Sequence, residues 1–457
     1  MTDVELAPST DVQRQKWGRW TAIFLLVVLA VVPFMHPRGE QQSSRYAATA
    51  AVWDLGTLEV IEYGGLFGRD GAVVEDAVYT DKAPGQPFLA VPFYGVFRLA
   101  GGEPLSEEME EPNLGLWWLT VWSAGIPLAV LAVLMYRWSW EIGAETALFA
   151  TLTITFGTLL LVYGSLLFAH VLAALLGFAM FLLVRRRPSP SSHLFMAGAL
   201  GGLVVLTENP MALIVIIVMA AAFAVNGARA WRVVVGGLPF ALLLGLYNTA
   251  LFGSPITFSY QWSVFSGVRN EARGTFEAFS GLSLDHVSEV LLAERGLFIA
   301  TPVVAMAIIG CWLLWKRGFH IDASVALLAF GAMLSIQLFW PNAFAGGAGP
   351  RYVTPGLPFL VAPLALAWKR WRILTSGLAV LSSVTMALAI ATKPQLGENF
   401  EAGLRYWVSE VFAGNLAPTI YTEWMGAWGW LVHIATAVLA FTAVFQLASR
   451  STAQSHS

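Results

Sequence analysis

Long apolar runs recur along the chain with short polar interruptions, the spacing of a helical membrane protein rather than a soluble domain. A helix needs roughly 20 apolar residues to cross the hydrocarbon core. Measured by that length, the 457 residues hold about twelve candidate spans, centred near residues 28, 125, 151, 174, 201, 218, 242, 307, 331, 360, 382 and 437. The fifth and sixth are short and separated only by Glu208-Asn209-Pro210. The pattern predicts an all-α polytopic membrane protein. Three connections are long, roughly 36–113, 253–296 and 392–426. The first holds two predicted short helices, about 44–57 and 86–100. The second, apolar from Phe88 to Phe97 and ending in Arg98, suits a helix in the plane of the membrane interface. A re-entrant hairpin is the alternative.

Composition agrees. Hydrophobic residues make up 57% of the chain and charged ones 12%, against about 25% charge in soluble domains. The run from Thr21 follows Arg14, Lys16 and Arg19, as in a signal peptide. However, His36-Pro37-Arg38-Gly39-Glu40 lacks a small-residue cleavage pattern, so the first span is expected to be retained. The single cysteine, Cys311, excludes an intramolecular disulfide framework and a cysteine-based metal site. The nucleotide-binding glycine fingerprints are absent, and no nucleic-acid partner is expected.

The net charge of −3 says little until it is divided between the two sides. Arg14 to Arg19, Arg137, Arg185 to Arg187, Arg229, Arg232, Lys316, Arg317, Lys369 to Arg372 and Arg450 fall on one side. The positive-inside rule makes that side cytoplasmic. Nearly all the carboxylates fall opposite, from Glu40 to Glu111, Glu271 to Glu294 and Glu398 to Glu423. With twelve spans, both termini are expected in the cytoplasm and every long loop outside. The tails 1–13 and 451–457 read as disordered.

The first loop is the richest in chemistry. It carries Glu40, Asp54, Asp70, Glu75, Asp76 and Asp81, then Lys82 in Asp81-Lys82-Ala83-Pro84-Gly85-Gln86-Pro87. A lysine in a partly desolvated cleft is a phosphate clamp; as a snorkelling helix-end residue it has no such role. Transfer of a sugar onto a hydroxyl needs a base near the acceptor, usually Asp or Glu, and Glu40, Asp70 and Asp81 are the candidates. Two of the loop acids holding a divalent cation is a further candidate arrangement. Arg351-Tyr352 follows the glycine-rich turn Gly346-Gly347-Ala348-Gly349-Pro350 and suits a phosphate contact, or else an interfacial anchor. His170 is placed about two turns inside the fourth span, where an ionisable group is a functional hypothesis by default. Glu208 reads as a plain loop acid at a hairpin tip. Tyr247, Asn248, Tyr260 and Arg295 suit either the outer cleft or helix packing.

Arg45-Tyr46-Ala47 soon after the first span, then Asp81-Lys82-Ala83-Pro84-Gly85 before an apolar helix, resembles the first external loop of membrane glycosyltransferases with the GT-C fold. The pattern is similar to protein O-mannosyltransferase-like and lipid A aminoarabinose transferase-like enzymes. Their loop reads acid-acid-x-Arg-Tyr-Ala and later Lys-Pro-Pro. Gly349-Pro350-Arg351-Tyr352-Val353-Thr354-Pro355 is similar to their Arg-Tyr-x-x-Pro segment. Tyr163 with Phe168-Ala169-His170, and Tyr247-Asn248 with Phe252-Gly253-Ser254-Pro255, resemble a bacterial subgroup. The resemblance covers roughly residues 20–390.

It implies a GT-C transmembrane body over 19–391, after a cytoplasmic tail over 1–18. Beyond the resemblance, span length and charge place a last external loop and final span over 392–447 and a cytoplasmic tail over 448–457. The resemblance also implies transfer of a monosaccharide, with inversion, from a polyprenyl-phosphate donor to a lipid, glycan or protein acceptor. The reaction would take place on the extracytoplasmic face of a bacterial cell membrane. Lys82 and Arg351 would hold the donor phosphate, and Arg45, Tyr46, His170 and Tyr352 would line the substrate cleft. The chain departs from the pattern in two places. Gln42 stands three residues before Arg45-Tyr46, where the family has its catalytic acid, and Lys82 is followed by Ala-Pro-Gly rather than Pro-Pro. The rivals are a transporter or lipid flippase and a non-catalytic member of the family. Spans nearly clear of ionisable groups argue against transport.

Overall fold

The structure, a computed structural model, describes residues 10–68, 70–263, 281–344, 346–397, 400 and 402–454. It is a helical bundle, and each of the twelve predicted centres falls in a helical segment. Five helices are long and apolar enough to cross a membrane: Leu114–Ile142, Asn209–Phe252, His320–Phe339, Arg372–Ala391 and Trp428–Leu447. A sixth span forms if Leu284–Ala300 and Val303–Lys316, bent by 81°, count as one. Trp17–Val31, Ala144–Phe156, Ala169–Val184 and Ser191–Thr207 are shorter apolar helices. The terminal segments differ from expectation, since residues 10–13 and 451–454 belong to helices Thr10–Val31 and Trp428–Gln454. Glu271 and Glu398 lie outside the described residues.

The segment centred near 360 is not one α-helix. Arg351–Leu360 is a 3-10 helix, followed by Val361–Arg370. Pro355 and Pro358 remove two backbone donors, which an α-helix through this segment would need for its hydrogen-bond ladder. All ten residues of the 3-10 helix are buried, so the irregular backbone sits inside protein, where a membrane fold tolerates it. Around it the core is aromatic. Phe359 meets Phe178 at 5.4 Å and Phe181 at 5.6 Å, and Trp138 meets Phe181 at 5.2 Å. Helices Ser191–Thr207 and Trp231–Phe252 approach through glycine. A Cβ on Gly198 would lie 2.0 Å from Val233 O, and one on Gly236 would lie 2.1 Å from Phe195 O. Small residues at such contacts drive helix association where lipid removes the hydrophobic incentive.

The two ends of the bundle differ in chemistry. At one end Arg185 pairs with Glu141 and Asp322 at 2.7 and 2.8 Å, Lys369 pairs with Glu145, and Arg19 lies over Trp140. The other end carries the loop 36–113. There helix Glu40–Ala50 continues as a π-helix, Ala51–Leu55, and stops at Gly56 with φ +67°. Helix Gly85–Leu99 packs on it with Tyr94 5.7 Å from Tyr46 and Pro87 O accepting from Thr49 Oγ1 at 3.2 Å, leaving Leu89, Val96 and Leu99 exposed. Between the two helices lies an antiparallel hairpin, β1 Gly71–Val74 and β2 Ala77–Thr80, in register Gly71 to Thr80. Sequence reading missed this hairpin because four-residue strands are too short for an alternation signal. Arg38 and Glu111, 3.0 Å apart, tie the beginning of the loop to its end.

Candidate functional site

The loop helices and hairpin gather charge beside the bundle. Helix Glu40–Ala50 is buried from Gln42 onward, so successive residues point to different neighbours. Ser44 Oγ donates to Asp70 O at 2.6 Å and lies 2.8 Å from Thr80 Oγ1, fastening the helix to the hairpin. Thr80 Oγ1 accepts from Lys82 N at 3.2 Å, which sets the turn after β2. Lys82 Nζ then reaches Asp70 Oδ1 at 2.8 Å and Asp81 Oδ1 at 2.7 Å, with all three side chains at 10% exposure or less. Ser259 Oγ donates to Asp81 O at 2.9 Å, and Ser263 Oγ donates to Asp81 Oδ2 at 3.1 Å. Burial pushes the Asp81 carboxyl up, Lys82 pulls it back and Asp70 raises it again; the balance lies above the ordinary carboxylate value.

Gly85 explains why Ala-Pro-Gly follows this lysine. A Cβ there would lie 2.7 Å from Leu206 C and Thr207 N. Only glycine lets the start of helix Gly85–Leu99 press against the end of helix Ser191–Thr207. Gln86 Nε2 donates to Phe168 O at 3.0 Å, completing the dock.

That contact brings the lysine turn beside Glu208. Glu208 Oε2 is 3.4 Å from His170 Nδ1. The His170 ring is boxed by Tyr163, Phe168 and Tyr352, with centroids 5.1, 5.8 and 5.8 Å away. Arg45, 5% exposed, lies over Phe168 with its Cζ 5.3 Å from the ring centroid, and its Nη1 donates to Gln41 O at 2.9 Å. Arg351, also 5% exposed, opens the buried 3-10 helix. With its amide oxygen facing that guanidinium, Gln41 accepts from Arg351 Nη1 and Nη2 at 3.0 and 3.1 Å. Burial raises the Glu208 carboxyl, but His170, Arg45 and Arg351 outweigh it and hold the group below its ordinary value.

Of the residues singled out by sequence, Arg45, Asp70, Asp81, Lys82, His170, Arg351 and Tyr352 are placed in this buried region. Tyr46 is not. It faces the core of the loop, 5.7 Å from Tyr94, whose hydroxyl donates to Asp54 Oδ2 at 2.6 Å. Asp54 also accepts from Arg98 Nε at 2.9 Å and is absorbed by that contact. Glu40 is exposed at the start of its helix, with its carboxylate against Gly68. His170 is the second residue of helix Ala169–Val184, not two turns inside it. Gln42 is buried, and its side chain is fully used. Nε2 donates to Gln395 Oε1 at 2.9 Å and Pro37 O at 3.3 Å, and Oε1 accepts from Leu167 N at 2.9 Å. Arg295 is 1% exposed and donates from Nη1 to Gly347 O at 2.8 Å.

Sequence reading missed Glu208 as a site residue. The signal was present: an acid in the short break between apolar helices sits where a charge is costly unless it is paired. The described acids of this site do not fit a metal. Among the described residues no group of three or more His, Cys, Asp or Glu is arranged to hold one. The Lys82 ammonium occupies the space between Asp70 and Asp81 that a cation held by that pair would take.

No protein-family model matches the chain, and no curated protein matches it. Solved structures do. ArnT from Cupriavidus metallidurans in the apo state is 14% identical with a TM-score of 0.50, covering 96% of this chain and 74% of that one. The same protein bound to undecaprenyl phosphate is 13% identical with a TM-score of 0.48, at the same coverage. The archaeal oligosaccharyltransferase AglB from Archaeoglobus fulgidus, in complex with an inhibitory peptide and a dolichol-phosphate, is 12% identical with a TM-score of 0.42. It is covered over 56% of its length by 97% of this chain. The apo ArnT likeness shows the fold, which is that of the GT-C membrane glycosyltransferases.

Proposed function

We propose that the chain is an inverting membrane glycosyltransferase. It takes a monosaccharide from a polyprenyl-phosphate donor to a lipid, glycan or protein acceptor on the extracytoplasmic face. The observation that carries this reading is the convergence of three largely buried cations, Arg45, Lys82 and Arg351, with the carboxylates Asp70, Asp81 and Glu208 at the loop end of a GT-C fold. Nucleotide sugars are cytoplasmic, whereas this charge lies opposite the basic end of the bundle. A lipid-linked donor suits that placement.

In this reading Arg351 and Arg45 take the donor phosphate through planar guanidinium forks, and Lys82 adds a point charge beside them. Asp81 is the base, because its raised carboxyl takes a proton more readily than an ordinary aspartate. The acceptor oxygen attacks the anomeric carbon from the face opposite the phosphate and its proton passes to Asp81. The carbon–oxygen bond to phosphate breaks, and polyprenyl phosphate leaves with the electron pair. Stabilising that developing charge in a water-poor site is the largest catalytic contribution available to fixed cations. Asp70, held by its backbone to Ser44, keeps Lys82 in position.

The test is sugar transfer from radiolabelled polyprenyl-phosphate sugars by the purified chain in lipid, comparing wild type with Arg351→Ala and Lys82→Ala. Transfer that collapses in both variants, with the melting temperature of the second preserved by a compensating Asp70→Asn, is the expected result. Neither transfer nor binding of any lipid-linked sugar by wild type would favour the transporter or non-catalytic reading.

A further inference from the structure

One open cleft in the described structure lies away from the charged cluster. It has a volume of about 1200 Å³ and runs between the first helix, Ala144–Phe156, Arg372–Ala391 and the final helix. None of Arg45, Asp70, Asp81, Lys82, His170, Glu208 or Arg351 lines it. Its charged rim is at the basic end. Arg19 lies over Trp140 with Cζ 4.7 Å from the ring centroid, and Arg372 lies over Trp368 at the same distance. Arg19 is 8% exposed, and its Nε has no hydrogen-bond partner among the described residues. Glu145, the one acid on the lining, is neutralised by Lys369. The rim therefore carries net positive charge from two guanidiniums.

Beyond the rim the walls are apolar. Leu152, Val384, Val438 and Phe441 line the cleft, and the last three are about half-exposed, so it opens sideways toward lipid. Along the first helix the lining runs from Arg19 to Ala30, and along the eleventh predicted span from Arg372 to Val384. At 1.5 Å per residue these are lengths of roughly 16–18 Å, close to half of an approximately 30 Å hydrocarbon core. Only 11% of the window Trp428–Leu447 is buried, so protein alone leaves this wall poorly packed.

We propose that the cleft binds an anionic diacyl phospholipid from the leaflet at the basic end, with its phosphate on Arg19 and Arg372 and its acyl chains along the final helix. Two matched properties support that occupant: a positive rim and an apolar trough one leaflet deep. The proposal is independent of the sugar-transfer reading, since its readout is lipid retention.

The test is native mass spectrometry of the purified full-length chain after exposure to vesicles of equal phosphatidylglycerol and phosphatidylcholine. Wild type is expected to retain one phosphatidylglycerol in preference to phosphatidylcholine. Arg19→Gln with Arg372→Gln should reduce that retention by roughly thirtyfold, given the attraction of each rim cation for anionic lipid. Ala437→Trp, which fills the trough, should abolish retention of either lipid. Arg372→Gln alone, at an exposed position that leaves folding intact, should give an intermediate loss. Equal retention of both lipids by wild type, or retention of phosphatidylglycerol unchanged in Arg372→Gln and Ala437→Trp, would overturn the proposal.

Discussion

Glu208 Oε2 lies 3.4 Å from Nδ1 of His170, joining the tip of a helical hairpin to the first turn of helix Ala169–Val184. The pair is buried beside two guanidiniums, Arg45 and Arg351, so the carboxylate is the local counter-charge for more than one neighbour. Glu208→Gln keeps the shape and removes that charge. Breaking a buried ion pair from one side costs about 3–5 kcal/mol, so a stability loss of that size, seen as a lower melting temperature, is expected, with transfer reduced roughly tenfold or more. The pH dependence has a definite sign. The folded-state carboxyl is held below its ordinary value, so its stabilisation is present above about pH 4.3 and is lost as pH falls through the folded value. The stability gap between wild type and Glu208→Gln should therefore close in acid. A gap that stays constant from neutral pH to about pH 3 would sink this account.

Lys82 neutralises two carboxylates at once, which makes its removal informative in two ways. Lys82→Met leaves Asp70 and Asp81 facing each other across a buried gap. The expected loss is about 3–5 kcal/mol. With the lysine gone, Asp81 loses the larger of the influences that lower its pKa, keeping only the Ser263 hydrogen bond, and its folded value rises further. A carboxyl raised in the folded state contributes stability at low pH that is lost as pH rises, so Lys82→Met should melt higher near about pH 5 than at about pH 7. Lys82→Met with Asp81→Asn should recover most of the stability without recovering transfer. Transfer restored in that double variant would remove both residues from the proposed mechanism.

Gly85 gives a geometric test of how the lysine turn is held. Gly85→Ala puts a Cβ 2.7 Å from the backbone of Leu206 and Thr207, neither of which can swing aside. Overpacking of this kind costs about 1–3 kcal/mol. Because the residue touches no proposed substrate, transfer should fall through displacement of Lys82 and Glu208, with donor binding weakened and the pH profile shifted. Unchanged melting and unchanged donor binding in Gly85→Ala would show that the contact does not set the site.

Most of the architecture was legible because membrane spans announce themselves by length and hydropathy, and each centre fell in a helical segment. Legibility ended where the backbone is irregular. The run from Val353 to Leu360 is apolar like its neighbours, yet it is a 3-10 helix holding Pro355 and Pro358, a distinction that hydropathy does not carry. Lys82 and Arg351 could be singled out because each sits at a turn-rich break outside the apolar runs, and Arg45 because Arg45-Tyr46-Ala47 matches the resemblance. Glu208 was discounted because a turn between helices usually meets water. Here the preceding residues, Leu206 and Thr207, are covered by Gly85, a contact between distant parts of the chain that local sequence does not encode. The resemblance grouped Tyr46 with Arg45 through the Arg45-Tyr46-Ala47 motif, although neighbours on a helix point about 100° apart and do not share a face.

Gln42 provides the sharpest separation between resemblance and structure. The resemblance puts a catalytic acid at this position, and restoring it by Gln42→Glu is the obvious experiment. The structure predicts no gain. Gln42 Nε2 is a donor to Gln395 Oε1 and Pro37 O, and a carboxylate there would face two acceptors with none of its own protons to offer. The only bond kept is the one accepted from Leu167 N. Leaving buried acceptors unsatisfied costs about 1–3 kcal/mol and more with a charge, so Gln42→Glu should melt lower, while Gln42→Glu with Gln395→Lys should recover part of the loss. Transfer by Gln42→Glu is expected at or below the wild-type rate. A rate severalfold above wild type would return the base to this position and displace Asp81 from that role.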